Sequence, residues 1–274
     1  MCVSQRIRAL FERNPYLSFW DSFPKTGDCR ERISSKVWFL LAGIVFIFCV
    51  LQLCLRHYEP GLARDSVDIL DQVTEWHITG MYVGEDQSGF FLPPLAMYCF
   101  RLPLVLGLPL ESGCLFLILL LGMSVPVLSF LIARECCPDD RIALVFAALM
   151  ASNPYLHDIY NSILRDPVFI PLALVSFYLI LRNYNRSSLP LACTAGIFSA
   201  LALLTRYEGI VFPGFFVGFT ILAGLRDRAW KKTVVMAGCF FFCWAVCVFL
   251  PLYVWDIQAG IFKVFLWRFS KFQG

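Results

Sequence analysis

The sequence predicts an all-α polytopic membrane protein, with about seven transmembrane helices and a long outer first loop that carries amphipathic and interfacial helices. Three observations carry this. Of the 274 residues 59% are apolar and only 16% are charged, where soluble domains hold about 45–50% and about 25%. Uncharged apolar runs recur along most of the chain, and basic residues concentrate in alternate connections between them, as ordered membrane crossings require. At about 20 residues per crossing the length accommodates six to eight helices and no second folded domain. A soluble domain is excluded, and a formal net charge of +3 from 23 Lys and Arg against 20 Asp and Glu is too balanced to argue for a nucleic-acid partner.

Residues 1–36 read as a basic tail, and the first apolar run, 37–55, starts only after them. No small-residue cleavage site follows that run, so it reads as an anchor and not as a cleaved signal. Further runs fall at 112–133, 142–156, 167–181, 187–205, 209–225 and 233–255. Those at 142–156, 167–181 and 209–225 are short for a core of about 30 Å and are expected to sit inside a bundle or to borrow turns from their flanks. Together 37–255 form one transmembrane module. Residues 256–274 read as an outer amphipathic tail, with Tyr253, Trp255 and Trp267 as an aromatic belt.

Orientation follows from the basic residues. The N-terminal tail and alternate connections hold fifteen of the 23 Lys and Arg, and the opposite connections hold eight together with twelve of the twenty acids. By the positive-inside rule the N-terminus is cytoplasmic. The outer face then collects the 56–111 loop, the 157–166 turn, the Arg206–Gly209 turn and the final tail, with the plasma (inner) membrane as the expected location.

The long outer loop opens with a helical pattern in which Leu62, Ile69, Val73 and Trp76 share one face and Asp65, Asp68 and Glu75 another. Two readings stand: a solvated acidic face whose first-turn acids suit the helix dipole, or an interfacial helix that presents Asp65 to the membrane surface as a general base. The stretch from Phe90 to Tyr98, interrupted by Pro93 and Pro94, is too short to span and reads as interfacial or re-entrant, running on through Arg101-Leu102-Pro103. So long a loop is usually functional.

Two further clusters fall on the same side. Asp166-Pro167 has the pattern of an N-cap and first helical turn, yet Arg165 is not needed for a cap. An Arg-Asp pair at a membrane boundary is a functional candidate. In Thr205-Arg206-Tyr207-Glu208-Gly209 the turn is either a connector with a permissive glycine, or a presentation of the planar Arg206 fork to a phosphate, to Asp65 or to Asp166. His57, His77 and His157 are all outer, and either lie at the surface or, as His57 with Asp65 and Asp166, offer ligands to a divalent metal. Most of the twelve cysteines lie in apolar runs, and Cys239, Cys243 and Cys247 form one helical stripe read as packing. With no Gly-rich phosphate loop, no nucleotide cofactor is expected.

The order Arg64-Asp65-Ser66, Phe91-Leu92-Pro93-Pro94-Leu95, Asn153-Pro154, Arg165-Asp166-Pro167 and Thr205-Arg206-Tyr207-Glu208-Gly209 resembles the N-terminal module of the GT-C membrane glycosyltransferases. It is most similar to family 39, the bacterial relatives of protein O-mannosyltransferases and of the lipid A aminoarabinose transferase. The resemblance implies a polyprenyl-phosphate-linked sugar donor, a lipid, glycan or protein acceptor, and inversion at the anomeric carbon. It assigns Asp65 as the base and Asp166 as a second catalytic acid, with Arg165, Arg206, Glu208 and Arg64 as substrate-binding residues. Full members of the family continue beyond the point where this chain stops at Gly274, which leaves a fragment, a minimal enzyme and one half of a split transferase as alternatives. The rival from another class is a non-catalytic protein that binds or scaffolds lipid-linked sugars, for which Asp65 is dispensable.

Overall fold

The computed structural model describes residues 33–58, 64–80, 94–137, 139–227 and 229–259, without the side chains of Arg64 and of 252–259. Every described element is helical. In chain order these are α1 (Ser35–Tyr58), α2 (Arg64–Thr79), α3 (Pro94–Val105), α4 (Leu110–Cys136), α5 (Asp140–Ala151), α6 (Pro154–Asn161), α7 (Asp166–Arg186), α8 (Leu189–Leu203), a 3-10 turn at Tyr207–Ile210, α9 (Val211–Asp227) and α10 (Trp230–Ala259). The basic tail up to residue 32, Leu62, the Phe91-Leu92-Pro93 motif and the side chains of Tyr253, Trp255 and Trp267 lie outside the described residues.

Among the described residues five helices are long and apolar enough to cross a membrane: α1, α4, α7, the 3-10 turn with α9, and α10. The pair α5 and α6 passes the same test only when taken together, bent by 51°, as a broken span or a re-entrant loop, which gives five or six candidate crossings. The chain is an all-α, multi-pass membrane protein. The short runs at 167–181 and 209–225 do borrow turns from their flanks. The run at 142–156 instead breaks, because Pro154 lacks an N–H and holds Asn153 in an extended conformation (φ −71°, ψ 115°). Asn153 caps the second piece, its Oδ1 accepting from the Tyr155 N–H at 3.0 Å.

The run at 187–205 yields only the 15 residues of α8, a rise of about 22 Å at 1.5 Å per residue. This helix packs chiefly against α7 and α10. Its buried residues are small, among them Ala192, Ala195, Gly196 and Ala200, and a Cβ built on Gly196 would stand 2.4 Å from the Phe240 carbonyl oxygen. Only glycine lets α8 and α10 approach so closely.

The helices of the 56–111 segment join the main core. Ile69, Val73 and Trp76 of α2 and Met97 and Phe100 of α3 are buried with Phe48 of α1, Ile118 of α4 and Tyr160 of α6. Thus α3, read from the sequence as interfacial or re-entrant, packs into the core of the bundle. The apolar face predicted for α2 is the buried one, Asp65 and Glu75 are exposed, and Asp68 is half-buried.

Candidate active site

α7 begins where Pro167 occupies its first turn, a position in which the missing N–H leaves no bond unmade. The N-cap is Arg165 and not Asp166, and no side chain makes a capping hydrogen bond there. The Asp166 carboxylate has another partner, since its Oδ1 accepts from Arg206 Nη1. Arg206 also donates from Nη2 to Glu208 Oε1 at 2.8 Å and from Nε to Glu208 Oε2 at 3.1 Å. This two-point pairing uses the planar fork that a lysine lacks. One guanidinium therefore holds two carboxylates, and the connector reading of the Arg206 turn gives way to an ion cluster.

The chain folds this way for local reasons. Thr205 is buried and returns its Oγ1 hydrogen to the Leu201 carbonyl at 2.8 Å, closing the end of α8. The 3-10 turn then folds back so tightly that a Cβ on Gly209 would lie 2.4 Å from the Leu203 nitrogen. Glycine at this position is what allows Glu208 to return to Arg206. The Phe169 ring lies 5.9 Å from the Arg206 guanidinium carbon and limits its orientation.

Arg206 and Asp166 are about 30% and 29% exposed and Glu208 58%, so the cluster sits at an accessible rim and not in the core. Hydrogen bonding to Glu208, reinforced by the charges of Asp166 and Glu208, raises Arg206 above its ordinary pKa against the opposing effect of burial. It is cationic at every working pH. Arg165, next to Asp166 and half-buried, acts electrostatically on Glu208, and its side chain makes no hydrogen bond or ion pair among the described residues. Of the two arginines it is the one whose donors are unspent.

Hydrogen bonds at backbone groups tie the surrounding elements to one another. The Ile163 N–H donates to Ser66 Oγ at 3.0 Å, tying the Asp65–Ser66 end of α2 to the turn before Arg165 and Asp166. The Leu95 N–H donates to the Leu204 carbonyl at 3.1 Å, tying the start of α3 to the end of α8. Arg56 donates to the carbonyls of Leu115 and Tyr160 at 3.2 and 3.0 Å, joining α1 to α4 and α6. Asp65 itself is exposed and its carboxylate meets no described partner. The backbone of Arg64 starts α2, while its side chain lies outside the described residues.

The three histidines do not share a site. His157 is 4% exposed, stacks on Phe48 at 4.9 Å, and lies within hydrogen-bond distance of Gln52 Nε2 through Nδ1 (2.9 Å) and of the Ala151 carbonyl through Nε2 (2.7 Å). A neutral ring with its hydrogen on Nε2 satisfies both contacts. It is a buried connector, so the surface reading does not hold for it. His57 is exposed and edge-on to Tyr58. Among the described residues no three His, Cys, Asp or Glu side chains are placed to hold a metal ion, so Asp65, Asp166 and His57 do not form such a group.

From the sequence alone, Ser66, Gln52 and Arg101 carry no assigned role. Ser66 gave no signal beyond its neighbour. Gln52 is a lone amide within an apolar run, a pattern that marks a buried polar contact. Arg101 lies 4.4 Å from the Trp76 ring centre, pinning α3 to α2.

A family model described as dolichyl-phosphate-mannose-protein mannosyltransferase matches residues 92–255. No curated protein and no solved structure matches the chain. The matched stretch contains Arg165, Asp166, Arg206 and Glu208, and leaves Arg64 and Asp65 before its start.

Proposed function

The chain belongs to the dolichyl-phosphate-mannose-protein mannosyltransferase family, a family of membrane glycosyltransferases, and from that premise we propose that it transfers a sugar from a polyprenyl-phosphate-linked donor to an acceptor on the outer face of the membrane, with inversion. The observation that carries this reading is the cluster of two guanidinium groups and two carboxylates at neighbouring ends of α7 and α8, joined to the Asp65–Ser66 end of α2 through Ile163.

The chemistry needs such a cluster. The donor is a phosphodiester with one negative charge, and breaking its sugar–oxygen bond gives the leaving polyprenyl phosphate a second. Fixed cations at that point stabilise the charge as it develops. Arg165, with its donors unspent, meets the phosphate first. Arg206 stands behind it and holds Asp166 and Glu208 together against their mutual repulsion. Arg64, at the start of α2, adds a third cation.

The acceptor oxygen attacks the anomeric carbon from the side opposite the phosphate, so the new bond forms as the old one breaks and the configuration inverts. Its proton passes to Asp65, whose two oxygens are free to accept it. Asp166, held through Oδ1 by Arg206, orients the acceptor hydroxyl. The alternation of basic residues supports an N-terminus in the cytoplasm and this cluster outside.

The test uses the chain in proteoliposomes with a polyprenyl phosphate bearing radiolabelled mannose, and a Ser/Thr peptide, a glycan or a lipid as acceptor. Transfer to one of them, with the product anomer opposite to that of the donor, is the expected result. Saturable donor binding with no transfer to any acceptor overturns the transferase reading in favour of a lipid-linked-sugar binder.

A further inference from the structure

Tyr160, near the end of α6, is 1% exposed, and its hydroxyl oxygen meets no hydrogen-bond partner among the described residues. A buried hydroxyl without a partner is destabilising, and phenylalanine would fill the same space without that cost. The residue is held from several sides. Its ring is edge-on to Phe48 at 6.1 Å, and its carbonyl accepts from Arg56 at 3.0 Å. Gly122 on α4 leaves room for both rings, since a Cβ there would lie 2.9 Å from Phe48 and 3.0 Å from Tyr160. A ring so confined keeps its hydroxyl in one place.

Its segment packs against the one that carries Asp166. Tyr160 packs in the same buried group as Ile163 and Val168, which flank Asp166 in the chain. It lies within electrostatic reach of the Asp166 carboxylate. Asp166 gives Oδ1 to Arg206, and its other oxygen has no described partner. A buried donor without a partner and an acceptor oxygen without one therefore lie on segments that pack together beside the candidate site.

We propose that the Tyr160 hydroxyl is a positioning group for Asp166, donating to its Oδ2 directly or through one water when donor and acceptor are bound. Arg206 then holds the carboxylate from the rim and Tyr160 from the core, fixing the plane in which Asp166 presents itself to the acceptor. The inference rests on the transferase reading above for its functional consequence, and the pairing of Tyr160 with Asp166 is tested apart from transfer.

Tyr160→Phe keeps the ring and removes only the hydroxyl. The expected result is a fall in kcat of about tenfold or more, the scale of one hydrogen bond to a charged group, with the KM for the polyprenyl-phosphate donor unchanged. In an Asp166→Asn background the same change is expected to have little further effect. Thermal unfolding of the two single variants and the double variant, with and without polyprenyl phosphate, gives a cycle that does not depend on turnover. Coupling between the sites that grows when the ligand binds supports the pairing. Additive effects under both conditions overturn it, as does a Tyr160→Phe variant that is more stable than the parent and transfers at the parent rate. If the parent transfers no sugar the transferase reading fails alone, and the cycle still decides the pairing.

Discussion

The backbone N–H of Ile163 donates to the Ser66 hydroxyl at 3.0 Å, a bond between residues 97 apart in sequence. It is buried, and it sets the end of α2 that carries Asp65 against the turn that carries Arg165 and Asp166. Replacing Ser66 by Ala leaves the Ile163 N–H without an acceptor, at a cost of about 1–3 kcal/mol. Thermal unfolding in detergent is expected to shift down accordingly, with transfer falling by more than donor binding because Asp65 loses its anchor. A stable Ser66→Ala variant with full transfer would show that α2 needs no such tie.

Arg165 and Arg206 are expected to respond differently. Arg165 has no described partner to abandon, so Arg165→Ala should weaken binding of polyprenyl phosphate about tenfold or more while leaving the unfolding midpoint almost unchanged. Arg206→Ala strands Asp166 and Glu208 beside each other and should both destabilise the protein and weaken binding. Arg206→Lys retains charge but cannot pair with both Glu208 oxygens, and is expected to fall between. Equal binding by the Arg165→Ala variant and the parent removes Arg165 from the phosphate site.

Gly209→Ala tests the turn itself. The added methyl group meets backbone at 2.4 Å, and backbone does not move aside as a side-chain tip does. A loss of about 1–3 kcal/mol is expected, together with weaker donor binding as Glu208 leaves Arg206. An unchanged midpoint would mean that the turn relaxes freely and that the glycine is incidental.

The buried Gln52–His157 contact carries a separate expectation. Gln52→Leu removes the hydrogen bonds to His157 Nδ1 and to its carbonyl, and should cost about 1–3 kcal/mol by leaving those acceptors unpaired. Donor affinity measured well below the new midpoint is expected to hold. A selective loss of donor affinity without a loss of stability would move this contact from the core into the binding site.

Much of this was legible in the sequence, for physical reasons that also mark where it ended. Crossings announce themselves because lipid tolerates few charges, and α1, α4 and α10 follow their apolar runs closely. The pattern in α2 was readable because Ile69, Val73 and Trp76 repeat at helical spacing and are buried together. Composition cannot choose among contacts between distant residues: the Arg206 fork could face a phosphate, Asp65 or Asp166, and the Asp166–Pro167 pair resembled a cap, while in the fold the Asp166 carboxylate meets Arg206, forty residues away. The break at Pro154 was likewise obscured, because apolar residues continue on both sides of it. His157 shows the same limit, since a histidine beside a boundary proline resembles a surface residue until Gln52 and Phe48 are brought against it.

The most direct test of the account is the rate of sugar transfer from polyprenyl-phosphate-mannose in proteoliposomes, measured for the parent, Asp65→Asn and Asp68→Asn alongside donor binding. Asparagine keeps the shape of the side chain but cannot take up a proton, and general-base catalysis contributes about 10²–10⁴-fold. A loss of that order is expected in Asp65→Asn, with near-parent transfer in Asp68→Asn and donor binding unchanged in both. Full transfer by Asp65→Asn, or equal small losses in the two variants, contradicts it and returns Asp65 to a solvated acidic face.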